Sequence, residues 1–544
     1  MDVFVKTIFI LLLFFTPFAF AGTEPWGFSI LQGGVVTCWI LLLCSRRKIV
    51  FSSVFKPVFV TLLFLSAFTA LQACFSKTLL DPVALYPVSL MPLYSWEHVS
   101  LFVTYLAVVG LVPQLFVSQQ DIKKLLFWVV VSAVAVAICA VSFPKGDYIF
   151  QLAGVRGGIG PFLNRNHASV FFVLGALAAL GVFFTSQLNY GKLVSRTQKQ
   201  AFYIKQVCFF AVFVSLCVAA VMTRSRGGML SLLIGLFTYS FLIVWAVPRQ
   251  FQRKIKGFLI TLVVLVLTSG WIYTHVDDIN AFARRSSGAS EQTRQMIYRS
   301  AGTILKQYPV WGIGVGAMPV VITSYTEWSL SSYIERLHND WLEILLGVGF
   351  VGALPIVFGL IWFVYLALKR LKRLEIRKQF LFAALLSALA AMSVGSLVDF
   401  HFFIPANALL FFVLLGAVCS LTYAKHHVHE ISLNGGYRIG IIVILLAVCY
   451  LPLQKTLAWR CYVFGKGLKT QAKLAQYEQA LVYYPSPRYA VRLGNAYLNA
   501  SNRAATPEEK AMLREQAREI AIIYLGRYPR DKELSQLYMR LRPY

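Results

Sequence analysis

Charge is what this chain has least of. Asp, Glu, Lys and Arg make up 14% of its 544 residues, 58% are hydrophobic, and the mean hydropathy is +0.67. That balance argues against a soluble globule. Acid is scarcer than base: 23 Asp and Glu face 51 Lys and Arg, a formal net charge of +28. The nine cysteines are an odd set without any Cys-x-x-Cys, almost all inside apolar runs, so neither a disulfide framework nor a zinc site is expected. Cys461 alone lies outside a clear run and reads as a free thiol. Short segments of alternating polarity are also missing, which excludes a membrane β-barrel.

The chain has instead apolar runs of about 18 residues or more, each long enough to cross a bilayer core of roughly 30 Å. They predict an all-α fold, a polytopic membrane helix bundle with a long outer loop and a small helical C-terminal domain. Thirteen spans are expected, near 3–21, 27–44, 50–74, 98–118, 125–143, 168–186, 207–223, 229–247, 257–274, 349–368, 379–397, 403–424 and 438–453. The first stretch, with Lys6 and Ala19-Phe20-Ala21 ahead of Gly22, resembles a cleavable signal peptide, but its length favours a retained helix. Basic residues fall in alternate connections: Arg46 to Lys48, Lys123-Lys124, Lys192 to Lys205, Arg249 to Lys256, Lys369 to Lys378 and Lys425 to Arg438. With the N-terminus inside, every basic loop is cytoplasmic, as the positive-inside rule requires. The charge records topology and is no footprint for nucleic acid.

Two regions break the pattern. Residues 275–347 are polar and fall outside; they hold Arg284, Arg285, Arg294 and Arg299, then Trp311-Gly-Ile-Gly-Val-Gly316, then Arg336-Leu-His338-Asn-Asp-Trp-Leu-Glu343. A loop this long in a compact bundle is functional or disordered. Its aromatic residues, glycines and helical patterning argue against disorder. An amphipathic helix from about Ser290 to Tyr308, stopped by Pro309, sets Arg294 beside an apolar stripe of Ile297, Ala301 and Ile304, which suits an interfacial helix. Gly312, Gly314 and Gly316 permit a sharp turn; with no strand before and no Gly-Lys-Ser/Thr after, they make no nucleotide fingerprint. The second region follows a domain of residues 1–453. Residues 454–544 are polar with helical periodicity, and Ala475-Gln-Tyr-Glu-Gln-Ala480 with Arg492-Leu-Gly-Asn-Ala-Tyr-Leu498 looks like a tetratricopeptide-type hairpin, loosely echoed at Ile520 to Pro529.

The same parity gathers polar groups at outer helix ends. Arg156, Asn164, Arg165, Asn166 and His167 lie between spans five and six, Thr223-Arg-Ser-Arg-Gly-Gly228 between seven and eight, Arg294 and His338 between nine and ten, and Asp399 and His401 between eleven and twelve. Ionisable groups at membrane depth cost about 2.5–3.5 kcal/mol each, so they pair or serve a function. Arginine suits phosphate because its planar fork donates two hydrogen bonds and keeps its charge. Arg224, Arg226 and Arg294 are therefore candidates to neutralise a diphosphate leaving group; arginines at helix ends also snorkel to headgroups. His338 is the candidate general base. His426, His427 and His429 fall in a cytoplasmic loop without carboxylate pairs and read as loop residues.

Five motifs together resemble the O-antigen ligase and polymerase family of bacterial polysaccharide assembly. They are Gly160-Pro-Phe-Leu-Asn-Arg-Asn-His-Ala168, Thr223-Arg-Ser-Arg-Gly-Gly228, Arg294 ahead of Tyr308-Pro-Val-Trp-Gly-Ile-Gly314, His338-Asn-Asp-Trp-Leu-Glu-Ile-Leu-Leu-Gly-Val-Gly349, and Asp399-Phe-His-Phe-Phe-Ile-Pro405. The resemblance implies an inner-membrane glycosyltransferase whose donor is an undecaprenyl-diphosphate-linked glycan, with neither nucleotide sugar, metal nor other cofactor. It implies that Arg226 and Arg294, with Arg224 and Arg156, hold the diphosphate and that His338 activates an acceptor hydroxyl on the periplasmic face. Asn164, Asn166, Asn339, Asp399 and His401 are expected to support them. The expected acceptor is the core sugar of lipid A; a growing glycan, as in a polymerase, and a protein serine are the alternatives. The tail resembles that of protein-glycosylating members. A lipid-linked glycan transporter is the rival from another class, but it would need midplane polar residues and internal repeats. A lipid-binding scaffold is a third.

Overall fold

The computed structural model describes residues 1–45, 48–75, 86–143, 159–187, 195–248, 294–325, 334–422, 428–529 and 531–542. The bundle begins with α1 (Asp2–Phe18), α2 (Pro25–Ser45), α3 (Phe55–Cys74), α4 (Pro92–Leu115), α5 (Gln119–Ser142), α6 (Arg165–Gln187), α7 (Arg196–Met222) and α8 (Arg226–Ala246). A helix at 294–307, α9, follows. The bundle resumes with α10 (Asp340–Leu371), α11 (Ile376–Gly395), α12 (Pro405–Leu421) and α13 (Gly435–Lys466). Ten of these, all but α1, α9 and α12, are long and apolar enough to cross a membrane. The chain is an all-α, multi-pass membrane bundle. Helices α1 and α12, each 17 residues, occupy the first and twelfth expected spans. The ninth, 257–274, lies outside the described residues.

Helix α6 is the axis, buried along nearly its whole length. Small residues let its neighbours approach. A Cβ on Gly175 would meet Ala133 of α5 at 2.5 Å, and one on Gly181 would meet Ala384 of α11 at 2.7 Å. Such seams supply close packing where lipid offers no hydrophobic drive. At the opposite end from His338, β1 (Lys48–Ser52) and β2 (Val428–Ser432) pair antiparallel, joining the first and last basic connections.

Helix α10 is broken at Gly349, where φ is +64°. The 312–316 glycine run lies along the break: Ile313 N–H donates to Leu346 O at 2.9 Å, and Gly314 N–H donates to Gly347 O at 3.0 Å. A Cβ on Gly312 would sit 2.4 Å from Leu346 O, so this contact requires glycine. Gln72 of α3 closes it, its Nε2 donating to Trp311 O and Gly347 O at 2.8 Å each.

Helix α13 runs through Pro452 to Lys466 and leads into α14 (Thr470–Tyr483), α15 (Pro487–Ser501), α16 (Pro507–Arg527) and α17 (Lys532–Leu541). These make two successive helical hairpins. They share a core with α9: Ala490, Tyr524 and Leu534 pack with Ile297, Ala301 and Ile304. The α9 stripe therefore faces protein, a correction to the interfacial helix expected from its periodicity. An amphipathic stripe shows that a face is covered but not by what.

Candidate functional site

The site is built where the start of α10 meets the 396–404 connection between α11 and α12. Asn339 caps α10, its Oδ1 accepting from Leu342 N–H at 3.0 Å. Asp340 N–H donates to Ser396 O at 2.9 Å, and Asp340 Oδ2 accepts from Phe402 N–H at 3.0 Å. Glu343 accepts from Arg336 at 2.7 Å and from Leu337 N–H at 3.1 Å, while the Arg336 guanidinium lies 3.9 Å from the Phe403 ring centre. The buried face of this first stretch of α10 carries Asp340, Glu343 and Leu346, while Leu342 and Leu345 are half-buried. Polar clamping of the 396–403 backbone, rather than a leucine face, sets the rotation of the helix.

His338 sits just before the cap with φ +55°, the left-handed region that a non-glycine residue rarely adopts. Tyr298 of α9 holds it there, its hydroxyl donating to His338 O at 3.2 Å. His338 Nδ1 lies 3.0 Å from Asp399 Oδ1. Asp399 also accepts from Asn166 Nδ2 at 2.5 Å and from Phe400 N–H at 3.0 Å. Burial pushes the Asp399 carboxyl up, but the His338 hydrogen bond and the neighbouring imidazoles outweigh it and hold the carboxyl well below the usual carboxylate range. An ionised carboxylate only accepts, so His338 Nδ1 is the donor in this contact and Nε2 is the ring nitrogen left for other partners. The His338 side chain is 31% exposed and Asp399 only 2%. A partly exposed imidazole is thus held by a buried carboxylate.

Behind this pair, Phe400 stands edge-on between two imidazoles, its ring centre 5.0 Å from His338 and 4.6 Å from His167. His167 Nδ1 lies 3.2 Å from His401 Nδ1. Burial pushes the His401 imidazole down to about 4, a shift that Asp399 only partly offsets, so this ring is neutral. His401 is fully buried behind the His338–Asp399 pair. Asn164 Oδ1 accepts from Asn166 N–H at 2.9 Å and starts α6.

The arginines approach from α8 and α9. Ser225 caps α8, its Oγ accepting from Gly228 N–H at 3.0 Å. Gly228 lies directly on Ser169 of α6, where a Cβ would come within 1.9 Å of Oγ. Gly227 abuts Val398, the neighbour of Asp399. The glycine pair thus sets the exposed Arg224 and Arg226 on the turn that packs against the 396–404 connection, Arg224 with φ +56°. Arg294 lies one turn before Tyr298, whose phenol is raised by burial against the opposing pull of the Arg294 charge. Among the described residues these three arginines make no ion pair. Arg156 lies outside the described residues.

Sequence reasoning missed Tyr298, Asp340, Glu343 and Phe400. Asp340 and Glu343, one turn apart on an otherwise apolar helix, were the available signal. Next to the site, a mainly apolar cavity of about 450 Å³ is lined by α3, α4, α8, α10, α11 and α12, with Asp340 and Trp341 in its wall.

The fold and site define a multi-pass membrane protein in which a partly exposed histidine pairs with a buried aspartate, with three arginines near that end that make no ion pair among the described residues. Residues 211–357 match the family model described as O-antigen ligase, a segment that contains Arg224, Arg226, Arg294, His338 and Asn339. Over this segment, about a quarter of the 544 residues, the chain is similar to O-antigen ligases. No curated protein and no solved structure matches the chain.

Proposed function

We propose that this chain transfers an undecaprenyl-diphosphate-linked oligo- or polysaccharide to a hydroxyl of the lipid A core, on the periplasmic face of the bacterial inner membrane. The observation that carries the reading is the 3.0 Å pairing of His338 with buried Asp399. In the transfer, His338 Nε2 takes the proton of the acceptor hydroxyl as its oxygen bonds to the anomeric carbon. The bond from that carbon to the phosphate oxygen breaks, and its electron pair leaves with the diphosphate. Asp399 stabilises the imidazolium that forms. Arg226 and Arg294, joined by Arg224, meet the charge growing on the leaving diphosphate. The apolar cavity suits the polyprenyl chain. Residues 1–453 form the transferase domain, with 275–347 as its catalytic loop, and 454–544 form a periplasmic tail of tetratricopeptide type.

The test is transfer by purified protein in lipid nanodiscs, supplied with the undecaprenyl-linked glycan and, separately, lipid A core, further donor, or a serine peptide. Product on the lipid A core supports ligation. Product only as lengthened donor, or only on peptide, replaces that acceptor with a growing glycan or a protein.

A further inference from the structure

A second cavity, of about 250 Å³, opens at the same end of the bundle. Its described walls come from the α1–α2 turn, α4, residues 335–336, the 400–405 segment and α13, and none from α8 or α9, which carry the candidate diphosphate arginines. Phe400 is shared: its ring contacts His338 and also lines this cavity. Phe403 and His98 also line it, their ring centres 5.4 Å apart, with the Arg336 guanidinium over one face of Phe403. The charged groups here are matched in sign. Lys455 pairs with Glu97 at 2.7 Å, Arg336 with Glu343 at 2.7 Å, and Arg488 lies 3.6 Å from Glu335 at the mouth.

A space with balanced charge has no spare cation for a diphosphate. Ring faces bordered by carboxylates and amines suit a sugar, whose C–H face packs on aromatics while its hydroxyls hydrogen-bond at the edge. The volume has room for about one pyranose ring. The donor's first sugar is tied to the diphosphate and hence to α8 and α9. We infer that this cavity is the acceptor subsite, holding a neutral pyranose of a saccharide acceptor on the far side of His338 from the leaving group. The arrangement puts acceptor and leaving group on opposite sides of the anomeric carbon, with His338 beside the acceptor hydroxyl, as an in-line displacement requires. The inference rests on the transfer reading above and adds the acceptor's class and its place.

Thr23 is exposed at the cavity mouth and serves as a reporter. Thr23→Cys is placed in the full chain with His338→Ala, so that no turnover occurs, and its maleimide labelling is followed by site-resolved mass spectrometry. Lipid A core is expected to slow the labelling, and the undecaprenyl-linked glycan to leave it unchanged. With His338 present, Glu335→Ala should raise the KM for lipid A core about tenfold and leave the donor KM alone. Labelling slowed by the donor instead, or an acceptor KM unmoved by Glu335→Ala, overturns the inference. Transfer to a serine peptide with none to any saccharide overturns it too, while leaving the base intact. If His338→Ala alone transfers normally while Thr23→Cys is protected by lipid A core, the catalytic reading fails and the cavity assignment stands.

Discussion

His338 owes its orientation to groups on three other elements: Tyr298 on its carbonyl, Asp399 on its Nδ1 and Phe400 against its ring. Asp399→Asn keeps the size of the side chain but can present an amide donor to Nδ1, which favours the wrong tautomer. The expected result is a fall in kcat of about 10³-fold with donor binding retained, read by steady-state transfer and a donor-binding assay. His401 gives a pH prediction. Its folded pKa is depressed to about 4, so below the ordinary histidine value of about 6.5 the unfolded chain binds a proton that the folded chain refuses. The unfolded state then holds more protons, and stability falls as pH drops through that window. Asp399, also depressed, keeps its contribution above the usual carboxylate pKa and loses it only in stronger acid. Thermal unfolding of wild type should show a midpoint falling between about pH 6.5 and 4, with a shallower fall in His401→Gln. Both residues were legible as outer polar groups, because parity places helix ends. Their separate fates, His401 sealed in and Asp399 gripping His338, depend on how the 396–404 connection seats against α6 and α10, which no periodicity encodes.

At the scale of elements, the break in α10 fixes the height of the segment that carries His338, because the 312–316 strip and Gln72 lock it from outside. Gly349→Ala would put a methyl 2.3 Å from Val310 O at φ +64°. A loss of roughly 2–4 kcal/mol is expected, against no loss for Gly302→Ala, whose Cβ meets nothing within 4 Å, both read as thermal midpoints in detergent. The glycines were visible in the sequence as a turn. Their partner was not, since a close backbone approach between residues 312 and 346 leaves no hydrophobic pattern on either side. The α9 helix was legible from its stripe and its Pro309 stop, and the described helix ends at 307.

Across the whole molecule, alternating basic loops were enough to bring 223–228, 338 and 396–404 to one end of the bundle, where the structure has them together. The tail's packing on α9 was not legible, because apolar residues at helical spacing say only that something covers them. That packing ties the α9 carrying Arg294 to the C-terminal hairpins. Leu534→Ala, at a fully buried position, should loosen it and expose Arg299 to trypsin faster than in wild type, with cleavage mapped by mass spectrometry. The most direct measurement is transfer of undecaprenyl-linked glycan to lipid A core by purified protein, comparing wild type with His338→Ala while donor binding is followed in parallel. Transfer should fall by about 10²–10⁴-fold in the variant with donor binding unchanged. Undiminished transfer by His338→Ala would contradict its role as the base.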